Sequence, residues 1–130
     1  MDHVARNHNE IDRKRYREMA KNEWNFKELL ENREDLRHEK ARVFNNSYTV
    51  QWWDLPSKTI IAHLYKDGNQ FIHPDYNQER TFTVREAARI QSFPDDFVFM
   101  GPRTEQYKQI GNAVPPLLAE AIAKAMKRFL

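Results

Sequence analysis

A chain of 130 residues, 40% of them apolar, has room for one modest core, and its net charge of +2 permits nucleic-acid binding without demanding it. It holds no cysteine, which excludes disulfides, cysteine-ligated zinc and a thiolate nucleophile supplied from within. None of its three glycines, Gly68, Gly101 and Gly111, stands in a Gly-x-Gly turn, so a Rossmann-type cofactor loop is excluded as well.

In chain order, Ile11 to Ala20 and Trp24 to Arg37 read as helices. Their apolar stripes (Ile11, Tyr16, Met19; Trp24, Phe26, Leu29, Leu30) are narrow, which predicts weak packing or packing on a partner. Residues 43–72 change character. Tyr48 to Trp53 and Thr59 to Tyr65 are rich in β-branched and aromatic residues and read as strands. The turn at Lys66 to Asn69, with Asp67-Gly68 at its centre, returns the chain to a short strand at Phe71 to His73. From Thr83 the pattern is helical. Thr83 and Glu86 have the spacing of a capping box, and that helix stops before Pro94. Thr104 is placed to cap a short helix ending at Gly111. Pro115 and Pro116 suit the first turn of a last helix. Leu118, Ile122, Ala125 and Phe129 form its apolar stripe, which predicts an exposed apolar surface or an oligomer through this helix. No apolar run is long enough to span a bilayer and the polar N-terminus does not read as a signal peptide. A cytoplasmic protein is the expectation, with no membrane partner.

Two segments resemble signature motifs of the DNA cytosine-5 methyltransferases. Arg80 to Phe97 (RTFTVREAARIQSFPDDF) is similar to the ninth of that family's ten ordered motifs. Gln109 to Pro116 (QIGNAVPP), with the helix that follows, is similar to the tenth. Pro56 to Ile60 (PSKTI) and His73-Pro74 resemble the end of the target-recognition region, and His3 to His8 (HVARNH) a segment that opens it in some bacterial members. The resemblance implies residues 1–79 as a partial target-recognition region and residues 80–130 as the last two motifs. It also implies what is missing. The family's reaction uses a cysteine that attacks C6 of a flipped cytosine, a glutamate on the ring nitrogen and a glycine-containing loop for S-adenosylmethionine, all in earlier motifs.

The expected fold is therefore α+β: a small antiparallel sheet with helices, and a C-terminal helix that would pack on a catalytic α/β domain not present in this chain. By resemblance, Asn112, Ala113 and Val114 border the methionine end of S-adenosylmethionine, Thr59 contacts a DNA phosphate, and Lys58 is an electrostatic candidate beside it. Arg85, Glu86, Arg89 and Gln91 organise the ninth motif. Arg85 and Arg89 carry like charge at i,i+4, so each needs its own acidic or carbonyl partner. No catalytic residue and no metal ligand is assigned, and His63 and His73 read as structural. Of Trp52 and Trp53, one is expected in the core and the other on the surface. The expected function is the C-terminal portion or subunit of a DNA cytosine-5 methyltransferase, inactive alone. Its expected partners are double-stranded DNA and an N-terminal catalytic chain or domain, and its cofactor S-adenosylmethionine only with the missing motifs. The alternative is a non-enzymatic module that binds DNA or a partner protein.

Overall fold

The structure is a computed structural model that describes residues 2–37, 48–66 and 68–130. The part of the sequence pattern falling on residues 43–47 and on Asp67 lies outside the described residues. The chain forms two compact units. One comprises residues 5–37, 48–58 and 68–82, and the other residues 2–4, 59–66 and 83–130.

The first unit is built on helices α1 (Glu10–Asn22) and α2 (Phe26–Asn32) and a 3₁₀ turn at Glu34–Leu36. Asn9 starts α1 by accepting the Asp12 N–H at 2.8 Å, and Glu10 and Asp12 place negative charge at the positive end of the helix. Glu23, in the left-handed region at φ 56, ends it. Asn25 and Glu28 then form a reciprocal capping box for α2. The stripes that looked too narrow to pack are the core of this unit. Tyr16, Met19, Phe26 and Leu29 are buried together with Leu36, Tyr48, Val50 and Ile72, and only Ile11 is left exposed. Each such side chain contributes about 1.5–3 kcal/mol by leaving water. Arg15 is buried in the same place because it is satisfied there. It donates to the Leu36 carbonyl at 2.9 Å and to Asp12 at 2.8 Å.

The small antiparallel sheet is not formed. Among the described residues there is no β-strand, only two isolated bridges, Val50 to Ile72 (parallel) and Ile72 to Thr81 (antiparallel). Extended segments do exchange bonds there: Gln51 N–H to the Ile72 carbonyl at 3.0 Å, Ile72 N–H to Thr49 at 3.0 Å, Phe82 N–H to Phe71 at 2.9 Å. None continues long enough to make a ladder. The expected strand at Thr59 to Tyr65 instead closes into a 3₁₀ turn at Ala62–Tyr65, inside the other unit. Val, Ile, Tyr and Trp register burial as much as pleating, and here burial won. The expected α+β class gives way to a helical and irregular fold.

The second unit holds α3 (Val84–Ile90), α4 (Arg103–Asn112) and α5 (Pro116–Lys127). The box on α3 forms as the spacing requires: Thr83 accepts the Glu86 N–H at 3.2 Å and Glu86 accepts the Thr83 N–H at 2.8 Å. Val84, Ala87, Ala88, Leu64, Tyr107 and Ile110 are buried, with α4 packed on the 3₁₀ turn and on α3. α4 has no side-chain cap: it begins at Arg103 after Pro102, and Thr104 lies within its first turn. α5 buries no residue at all. No described helix is long and apolar enough to cross a membrane.

Candidate functional site

The end of α4 was expected to stop at Gly111. It runs one residue further, to Asn112, with Ala113 as its C-cap. Gly111 does not need its conformational freedom there. It is needed for space, because a Cβ at this position would lie 2.6 Å from the Ile61 carbonyl oxygen and 3.1 Å from Ala62 Cα. The backbone of residues 61–62 is thus pressed directly onto the last turn of α4.

Residues 113–115 then form the short connection to α5. Asn112 and Val114 are exposed and Ala113 is half-buried. The Asn112 amide makes no hydrogen bond to a described residue, and the Val114 N–H is likewise uncommitted. At the start of α5 Pro115 and Pro116 have no N–H and the Leu117 N–H is already taken, so the Asn112 amide and the Val114 N–H are the donors this connection leaves uncommitted. The connection is held from behind by the end of α3. Gln91, 8% exposed, donates through Nε2 to the carbonyls of Ile110 and Ala113, each at 3.1 Å. Ser92, at φ 67, accepts the Leu117 N–H of α5 at 3.2 Å. Periodicity could not reveal this clamp, because it joins residues about twenty positions apart.

The remaining residues of the ninth motif are structural in their contacts. Arg85 donates to Asp2 at 3.0 Å and to the Phe97 carbonyl at 2.8 Å, and lies 5.6 Å above the Phe99 ring. Arg89 makes a two-pronged pair with Asp95 at 2.8 and 3.0 Å, and this guanidinium holds the Asp95 carboxyl below the usual carboxylate range. The like-charged arginines therefore have separate partners.

Lys58 and Thr59 are adjacent and both exposed. Lys58 ends a segment of the first unit and Thr59 begins one of the second. The loop before them is fixed by Gln51, a buried residue that the sequence pattern did not single out. Its Oε1 accepts the Lys58 N–H at 2.8 Å and the Ser57 hydroxyl at 3.2 Å, while its Nε2 donates to the Gln70 carbonyl at 2.8 Å. The Lys58 ammonium pairs with no carboxylate among the described residues. Ile60, next in the chain, is buried and anchors the segment. Of the tryptophans, Trp52 packs against the core and Trp53 is 73% exposed, its ring edge-on to His73 at 5.4 Å. His73 accepts the Asp75 N–H at 3.1 Å.

The second unit thus presents an exposed connection with two uncommitted donors, and Lys58 and Thr59 expose an ammonium and a hydroxyl. The model of the C-5 cytosine-specific DNA methylase family matches residues 2–128, so the chain belongs to that family. It is similar to the type II methyltransferase M.Bpa9945I of Bacillus paralicheniformis, 54% identical over 90 residues, which are 69% of this chain and 20% of that protein. It is also similar to M.AgeI of Thalassovita gelatinovora, 50% identical over 87 residues (67% and 20%), and to M1.HphI of Haemophilus parahaemolyticus, 65% identical over 76 residues (58% and 19%). The aligned part spans about a fifth of the length of these relatives.

Proposed function

We propose that this chain is the C-terminal portion, or a subunit, of a type II DNA (cytosine-5-)-methyltransferase of the cytoplasm. It supplies DNA recognition and part of the cofactor pocket, and an N-terminal catalytic chain or domain supplies the rest. The reaction is methyl transfer from S-adenosylmethionine to C5 of cytosine in double-stranded DNA. The observation that carries this reading is family membership across residues 2–128 in a chain without cysteine. C5 of cytosine is a poor nucleophile until a group adds at C6, and a thiolate is suited to add and to leave. This chain has none to give.

Its residues fit the cofactor. The uncommitted Asn112 amide and Val114 N–H, with Ala113 between them, suit the carboxylate of an amino-acid moiety. When bound, S-adenosylmethionine provides the electrophilic methyl group; the chain's own part is to hold and orient. Lys58 and Thr59 offer an ammonium and a hydroxyl to backbone phosphate, contacts that position DNA without reading its sequence. Arg85, Glu86, Arg89 and Gln91 organise the segment that leads into residues 112–114.

The test is a methyl-transfer assay with labelled S-adenosylmethionine and DNA, using the purified chain with and without a portion carrying the earlier motifs. No incorporation is expected from the chain alone, and incorporation is expected on mixing. Transfer by the chain alone would overturn the division of labour. Silence on mixing, with both portions folded, would leave a non-enzymatic binding module.

A further inference from the structure

We propose that Gln91 is a positioning residue for the cofactor turn, setting S-adenosylmethionine affinity without touching the cofactor; this rests on the reading of residues 112–114 given above. The side chain is buried, and its single amide nitrogen bridges two carbonyls on either side of the turn, Ile110 and Ala113, at 3.1 Å each. An amide NH₂ carries two hydrogens in one plane, so both bonds form only when the two carbonyls keep a fixed separation and direction. That requirement fixes the peptide between Ala113 and Val114, whose N–H has no partner among the described residues. The last turn of α4 leading into it has little room to shift, because Gly111 sits against the Ile61 carbonyl with no space for a Cβ. The turn is therefore held both by the Gln91 bonds and by the close backbone contact at Gly111. The local bond from Ala113 N–H to Ile110 is long, at 3.3 Å, and does not fix it alone. Gln91 also leaves each carbonyl satisfied inside the protein, where an unpaired one would be unfavourable.

The experiment compares Gln91→Met, which keeps length but has no donor, with Gln91→Glu, which keeps length and polarity and turns acceptors toward the carbonyls. Thr83→Ala, at the far end of α3, controls for loosening of that helix alone. In the chain itself, amide exchange at Ala113 and Val114 should quicken in both Gln91 variants and not in Thr83→Ala. In the assembled methyltransferase, the dissociation constant for S-adenosylmethionine should rise about tenfold or more, the scale of a lost hydrogen bond converted to affinity. The turnover number at saturating cofactor should stay near that of the unaltered enzyme. If Gln91→Met does not fold, Gln91→Glu carries the comparison. Asn112→Ala separates the two ways to fail. Weakened binding in Asn112→Ala beside unchanged binding in the Gln91 variants overturns the role of Gln91 and keeps the turn. Unchanged binding in all of them overturns both. A loss in Gln91→Met that Thr83→Ala reproduces would reduce Gln91 to general support of α3.

Discussion

Tyr48 brings its hydroxyl into the core of the first unit, where it donates to Asp12 at 2.7 Å and lies 3.2 Å from Arg15 Nη1. Burial, and then the neighbouring Asp12 carboxylate, push its pKa above the ordinary tyrosine value. A phenol whose folded pKa is raised gives stability that is fully present below the unfolded pKa of about 10 and is lost as pH rises beyond it. Thermal melts should therefore fall steeply above about pH 10, and Tyr48→Phe should flatten that fall while lowering stability at neutral pH. An equal alkaline slope in the variant would remove Tyr48 as its source. Asn112 makes the opposite case, an exposed side chain with no hydrogen-bond partner among the described residues. Asn112→Ala in the assembled enzyme should lose about 1.5–3 kcal/mol of S-adenosylmethionine binding, roughly 10- to 150-fold, with little change in melting temperature. A lowered melting temperature with intact affinity would mean it is a turn residue and no more. Residues of this kind were legible because a motif marked them. Gln91 was marked by its motif too, but its bonds to the backbone about twenty residues on, like those of the unmarked Gln51, have no signal in a linear pattern.

At the scale of elements, the chain is most legible where stabilising groups lie within one turn of each other. The Thr83–Glu86 box forms with both bonds in place, and His3 Nδ1 also lies 3.0 Å from the Thr83 hydroxyl. Thr83→Ala should cost about 0.5–2 kcal/mol, measured by chemical denaturation, and Thr83→Ser should recover most of it. A loss below that range would show that tertiary packing alone holds α3. The extended segments were misread for a related reason. Ile60, Leu64 and Ile72 are buried, as β-branched and aliphatic residues tend to be, but their neighbours in space decide whether they pleat. Ile60 and Leu64 belong to one unit and Ile72 to the other, so the hairpin drawn across Gly68 had its two arms assigned to different bodies. Gly68 does take φ 71, but the bond seen there, from Phe71 N–H to its carbonyl at 2.7 Å, closes a turn over residues 68–71, while Asp67 at the centre of the expected turn lies outside the described residues.

For the whole molecule, α5 is the anomaly. The expected stripe of Leu118, Ile122, Ala125 and Phe129 is exposed along its length, and Leu117 and Met126, outside that stripe, are exposed as well. An apolar stripe of that length is ordinarily covered, and under the function proposed above the catalytic portion would be its cover. Ile122→Glu should leave the stability of this chain within about 0.5 kcal/mol, since nothing is packed there to lose. The same change should reduce concentration-dependent association in sedimentation and block assembly with the catalytic portion. Normal assembly of the variant would exclude the stripe as the contact. A large loss of stability would mean that α5 is packed within this chain.

The path of the backbone has a consequence for how such a protein can be varied. Four times, after residues 4, 58, 66 and 82, the chain leaves one unit for the other. No single crossover in the gene, and no single protease cut, yields either unit whole. A recombinant that exchanged the segment before residue 59 for that of a relative would inherit only part of the first unit and would have to match residues 68–82 of the old one. Inheritance of a new surface therefore proceeds by substitution within the two units, or by replacement of the whole of residues 5–82 at once.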